Sequence, residues 1–119
     1  MSKKDIIKEF QQYRQQMNER ILDSDNKVIK RMFNLDTNTY KDGELPEVTK
    51  EMIGLATSMV LKCDDCVFYH LQRCYELGVT KKQVFEVFSI ANLVGGTIII
   101  PHMRKAVEFW ESLEMNSQQ

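Results

Sequence analysis

With 119 residues and 43% apolar content, the chain fits one compact domain with a modest core, and a single domain is the expectation. Sixteen basic residues against seventeen acidic ones leave a net charge of -1, so no electrostatic footprint points to nucleic acid or to an anionic membrane surface. Three cysteines, an odd number crowded into one stretch, are too few for the disulfide framework of a secreted mini-protein.

The first segment sets Ile6, Ile7, Phe10, Tyr13, Met17 and Ile21 at steps of three and four among charged residues, which predicts an amphipathic helix over residues 3–22. Its opening, MSKKDIIKEF, meets charge within four residues and holds no apolar run long enough for a signal peptide or a membrane span. The expectation is a cytoplasmic protein. A polar break at Asp23, Ser24, Asp25 and Asn26 offers several caps for a short helix carrying Val28, Ile29, Met32 and Phe33. DTNTYKDGEL reads as a loop. Pro46 suits the first turn of a third helix, with Glu47 and Glu51 on early turns where the helix dipole favours anions. Ile53, Leu55, Met59, Val60 and Leu61 follow, and the helix should end near Lys62.

Asp64 and Asp65 suit the cap or first turn of a fourth helix bearing Val67, Phe68, Leu71, Tyr75 and Leu77, closed by Gly78. Thr80 to Gln83 spell a capping box, and Val84 to Val94 is apolar on nearly all sides, so that helix is expected to be central or at a subunit interface. Gly95 and Gly96 interrupt it. A last helix, starting or kinked near Pro101, carries Met103, Ala106, Val107, Trp110 and Leu113. The expected fold class is all-α, a single-domain bundle of about six helices.

The chemistry concentrates in KCDDCVFYHLQRC, residues 62–74. At about 100° per residue, Cys63, Cys66, His70 and Cys74 fall within roughly 80° of one helical face. A tetrahedral zinc ion needs ligands converging from several sides, which one straight helix does not easily supply. Cys74, deep in the helix, reads as a core thiol. Cys63 and Cys66 lie where a helix begins, so free N–H groups and the dipole can stabilise a thiolate, and they read as a reactive dithiol. His70 stands one turn past Cys66 and can take or return a thiol proton. Two cues compete: the helix start favours Cys63 as the low-pKa thiol, and the histidine favours Cys66. On its own, Glu51 reads as a solvated partner of the helix dipole, and His102 as a capping or surface residue.

Glu51, then KCDDCVFYH, then ELGVTKKQVFEVFSIANLVGG together resemble the alkylhydroperoxidase D-like branch of the carboxymuconolactone decarboxylase family, over about residues 43–113. The joint pattern E-x11-C-x2-C-x3-H, followed by an apolar helix and a Gly-Gly break, carries the likeness. Residues 1–42 would then be added N-terminal helices. The resemblance implies an all-helical subunit in symmetric homotrimers or homohexamers, acting as a peroxiredoxin-like dithiol peroxidase. It implies that Cys66 attacks the hydroperoxide, that Cys63 resolves the sulfenic acid to a disulfide, and that Glu51 and His70 relay the proton. It further implies reduction by a thiol donor such as a lipoyl or thioredoxin-like protein, with no organic or metal cofactor. One position departs from the pattern. Asp65 replaces the histidine that the best-characterised members carry before the second cysteine, and its charge disfavours a neighbouring thiolate. The other function classes open to this dithiol are a general thiol-disulfide oxidoreductase and a redox-sensing or metal-binding oligomer.

Overall fold

A computed structural model describes residues 3–117, with side chains at 5–116. Six helices follow one another: α1 (Lys3–Asp23), α2 (Lys27–Thr39), α3 (Glu47–Val60), α4 (Asp64–Glu76), α5 (Lys81–Gly95) and α6 (Ile100–Ser117), with a 3-10 turn at Thr97–Ile99 before the last. There is no strand among the described residues. The all-α expectation holds.

Local chemistry explains most of the boundaries. The Asn26 side chain caps α2 by accepting from Ile29 N at 3.0 Å. The expected loop at DTNTYKDGEL is shorter than the sequence suggests, because α2 runs to Thr39. Thr37, Asn38 and Thr39 each bond back to a carbonyl one turn earlier, on Phe33, Asn34 and Leu35, so polar residues extend the helix without apolar periodicity. Pro46 precedes the third helix as its N-cap and is not inside the first turn, and the Asp42 carboxylate takes the Glu47 N–H at 2.7 Å. That helix ends at Val60, two residues before the expected Lys62. Both halves of the Thr80–Gln83 capping box form.

The two glycines that end α5 serve different needs. Gly96 has φ 84°, a left-handed conformation that costs glycine little. Gly95 is required by space: a Cβ there would lie 2.5 Å from Cγ1 of Ile99, a fully buried side chain.

α3 and α4 form an antiparallel pair joined by a tight turn in which Lys62 takes φ 61° and Cys63 N donates to Ser58 O at 3.1 Å. Leu55, Met59, Val67, Leu71 and Cys74 are buried between this pair, α5 and α6. α1 closes the other side, with the Phe68 ring stacked on Phe109 at 4.5 Å and Phe10 edge-on to both. α2 buries none of its residues, so Val28, Ile29, Met32 and Leu35 stand in solvent. On α5, Val84, Phe88 and Ala91 face the core while Phe85, Ile90, Leu93 and Val94 are exposed. Within this chain that helix is therefore not central. No helix among the described residues is long and apolar enough to cross a membrane.

Candidate active site

The turn between α3 and α4 presents the dithiol. Cys63 is the N-cap of α4, its Sγ accepting from Cys66 N at 3.3 Å, and the two cysteines are joined as a disulfide with Cα atoms 5.3 Å apart. Cys63 is half-buried and Cys66 is exposed. His70, one turn along the same face, is buried.

Antiparallel packing brings Glu51 across to it. His70 Nδ1 donates to Glu51 Oε1 at 2.7 Å, and Glu51 is 1% exposed. The reading of Glu51 as a solvated dipole partner is thereby overturned: its carboxylate faces into the helix pair, and a buried carboxylate needs charged or donating partners. A second partner stands near, with Arg73 Nε 4.0 Å from Glu51 Oε2. Arg73 is itself held by Glu47 at 2.5 Å and by Glu76.

The other edge of the imidazole meets Tyr40, whose Oη lies 3.5 Å from His70 Nε2. Burial, then the Glu51 charge, pushes the Tyr40 phenol above its ordinary value, so it stays protonated near neutrality. Gly54 makes this contact feasible. A Cβ there would sit 2.8 Å from His70 Cε1, 2.9 Å from Nε2 and 2.9 Å from Tyr40 Oη.

The remaining candidates separate cleanly. Cys74 is fully buried, and burial pushes its thiol up to about 12, which makes it inert at neutral pH. His102 is half-buried on α6 and pairs through Nδ1 with Asp64 Oδ1 at 2.7 Å, while Lys105 lies 3.3 Å from the other oxygen. Burial alone would raise the Asp64 carboxyl, but the hydrogen bonds from His102 and Lys105 outweigh it and hold the group below its ordinary value. His102 thus anchors the first turn of α4. Asp65 is exposed, so its charge is screened by water. Among the described residues, no three His, Cys, Asp or Glu side chains come together as a metal site.

Sequence reasoning missed Tyr40, Gly54 and Arg73. Gly54 did leave a signal, since a glycine inside an apolar helix one turn after a glutamate costs about 1 kcal/mol and asks for a close approach. Tyr40 left none, lying in a stretch without periodicity.

The model of the carboxymuconolactone decarboxylase family matches residues 26–109. The chain belongs to that family. Two crystal structures of one Thermotoga maritima protein are similar to it throughout: one at 46% identity, covering 94% of this chain and 99% of that one with a TM-score of 0.90. The other, at 44% identity and TM-score 0.88 over 92% and 93% of the two chains, is described as a carboxymuconolactone decarboxylase family protein with a suggested part in antioxidative response. An apo carboxymuconolactone decarboxylase family protein from Legionella pneumophila is 28% identical with a TM-score of 0.62, over 96% of this chain and 92% of that one. An uncharacterized Cupriavidus necator protein is 33% identical over 73 residues, 61% of this chain. The match spans 65% of that relative's length, a little under two thirds.

Proposed function

We propose that the protein is a dithiol peroxidase, reducing hydroperoxides through Cys66 and Cys63 with Glu51 and His70 as the proton relay. The observation that carries this reading is the buried 2.7 Å pair of Glu51 and His70, set one helical turn from an exposed cysteine of a C-x-x-C disulfide. A carboxylate buried behind a histidine has a use if the imidazole must become a cation during reaction. The antioxidative description of the Thermotoga maritima relative agrees with it.

In the reduced form, Cys66 gives its proton to His70, and the imidazolium that results is stabilised by Glu51. The thiolate attacks the outer peroxide oxygen and the O–O bond breaks. The alkoxide takes the proton back from His70 and leaves as alcohol, with Cys66 now a sulfenic acid. The Cys63 thiol attacks that sulfur, water departs, and the disulfide closes. A dithiol donor, of the lipoyl or thioredoxin-like class, returns two electrons and two protons. In this reading the enzyme works in a reducing, cytoplasmic compartment.

The subunit is also proposed to assemble as a symmetric trimer or hexamer. Leu61, Ile90, Leu93, Val94 and Ile98 are exposed, and Val60 lies 3.9 Å from the notional Cβ at Gly95, so the end of α3 and the end of α5 adjoin. An apolar surface of this kind is usually covered. Light scattering should return a multiple of the 14.0 kDa chain, and a monomer would refute the assembly.

The decisive experiment treats reduced protein with one equivalent of cumene hydroperoxide and follows the Cys63–Cys66 peptide by mass spectrometry. Loss of two hydrogens at a rate above that of a free dithiol is expected. Cys66→Ser should abolish consumption, and Cys63→Ser should leave a sulfenic acid trapped by dimedone. Turnover on a disulfide substrate with no reaction toward hydroperoxide would instead identify a thiol-disulfide oxidoreductase.

A further inference from the structure

The geometry points to Tyr40 as a third member of the relay: its hydroxyl faces His70 Nε2, the nitrogen that must take the thiol proton, and passes that proton on from Cys66. The inference rests on the peroxidase reading for the oxidant, though its central readout, thiolate formation, needs no peroxide.

The two ring nitrogens of His70 have different surroundings. Nδ1 is spoken for by Glu51 at 2.7 Å, which leaves Nε2 as the lone pair able to accept a proton. The group facing Nε2 is the Tyr40 hydroxyl at 3.5 Å. A phenol can donate one proton while accepting another, so a concerted shift moves the Cys66 proton to Tyr40 Oη and the Tyr40 proton to Nε2. Tyr40 ends unchanged, with a thiolate on one side and imidazolium paired to Glu51 on the other. Reversal of the shift protonates the departing alkoxide. A phenol held protonated by burial and by the Glu51 charge suits this role.

Tyr40 is held in place by more than its own packing. Lys50 Nζ donates to Thr39 O at 2.9 Å and to Lys41 O at 2.7 Å, clamping the backbone on both sides of residue 40 onto α3. Gly54 then supplies the space in which hydroxyl and imidazole meet. Tyr40 lines two clefts. One, of about 470 Å³, is lined by Glu51, Tyr69 and Arg73. The other, of about 380 Å³, is lined by Ile53, Gly54, Thr57 and Ser58, and the Ser58 carbonyl accepts from Cys63 N. The charged and titratable groups around His70 are Glu51 from α3, Arg73 behind Glu51, Tyr69 at a ring distance of 5.4 Å, and Asp36 and Lys41 beside Tyr40 in the first cleft.

The test uses the reduced full-length chain and its Tyr40→Phe variant, each in a single turnover with cumene hydroperoxide from about pH 5 to about pH 9. Tyr40→Phe should be slower by roughly tenfold or more on the acid side and converge with the parent where the thiol ionises unaided. In the Cys63→Ser background, where Cys66 is the accessible thiol, the midpoint of iodoacetamide alkylation should move up by about one pH unit on adding Tyr40→Phe. Gly54→Ala, which parts the two groups while keeping both, should reproduce each effect. In a His70→Ala background Tyr40→Phe should add nothing. An unchanged alkylation midpoint, or an equal loss of rate at every pH, overturns the role of Tyr40. Because alkylation needs no peroxide, a shifted midpoint in a protein inert to hydroperoxide would sustain Tyr40 and sink the peroxidase reading. Rapid Cys66-dependent consumption untouched by Tyr40→Phe would do the reverse.

Discussion

Glu51→Gln isolates the electrostatic part of the relay. The amide keeps the volume of the side chain and its carbonyl can still accept from His70 Nδ1, so packing of a residue that is 1% exposed is retained. What is lost is the negative charge 2.7 Å from the ring at the moment the ring becomes a cation. A charge-assisted hydrogen bond is worth about 1.5–3 kcal/mol, and the neutral one about half as much, so the hydrogen-bond share of the loss is at least ~1 kcal/mol. The direct Coulomb share, for charge centres about 4 Å apart at an effective dielectric near 20, approaches ~4 kcal/mol. Those bounds translate to a first step slower by roughly 5- to 1000-fold. Rapid-mixing measurement of a single oxidation by cumene hydroperoxide near neutral pH reads that step directly. Thermal unfolding of the same variant should change by only about 1 kcal/mol, which separates a chemical effect from a folding one. Oxidation within about twofold of the parent rate would mean that no charge develops on His70, and the relay would have to be abandoned.

Three further outcomes are expected. Gly95→Ala should destabilise the fold by about 1–3 kcal/mol in urea denaturation, because the new Cβ would meet the buried Ile99 side chain at 2.5 Å; an unchanged midpoint would mean that the turn yields freely. The buried Cys74 thiol is raised from 9.0 to about 12, so below the unfolded value both states hold the proton and its contribution to stability is intact; as pH rises toward about 12 the unfolded chain ionises first and stability falls. Cys74→Ala should flatten that alkaline decline, and a decline of equal steepness in the variant would assign it to other groups. Asp64 is held below its ordinary value by His102 and Lys105, so its contribution is present above the unfolded carboxylate value and disappears as pH falls through the depressed one. Asp64→Asn should therefore weaken the acid limb of the stability curve by about 1 kcal/mol at most, and a steeper acid loss in the variant would reverse the sign.

The legible part of this molecule was the part written in periodicity and caps. The stripes of α1, α4 and α6, the Thr80–Gln83 box and the Gly95–Gly96 break needed no tertiary information, because apolar spacing and backbone chemistry are local. Pairing of Glu51 with His70 was reached through the family pattern; spacing alone left the glutamate in solvent, since nothing local says that α3 folds back on α4. Tyr40 was beyond reach for a different reason. Its position depends on Lys50 binding carbonyls nine and eleven residues away, a contact that has no signature in either segment. Exposure was the other blind spot. Tyr13 at 65% and Leu93 at 85% lie in runs whose apolar spacing suggested burial, and which face of an apolar helix is covered depends on neighbours that the pattern does not name.

The two cues that competed over the dithiol belong to different half-reactions. Cys63 caps α4, so its sulfur receives the Cys66 N–H and the positive end of the helix dipole, which stabilise it as a leaving thiolate. Cys66 is exposed and stands one turn from His70. In thiol-disulfide exchange the attacked sulfur is the accessible one and the expelled sulfur is the better leaving group. Both criteria select the same direction: an incoming thiolate attacks Cys66 and expels Cys63. Reduction of the disulfide by a small thiol, quenched with acid before completion, should therefore give a mixed disulfide on Cys66 in peptide mapping. Replacing the Asp64 carboxylate beside Cys63 by a cation should sharpen the preference, so Asp64→Lys, which also removes the ties to His102 and Lys105, is expected to raise the adduct yield on Cys66 without moving it to Cys63. An adduct found chiefly on Cys63 would show that access, and not leaving-group stability, had been misassigned, and the same inversion would make Cys63 the sulfur that meets the peroxide.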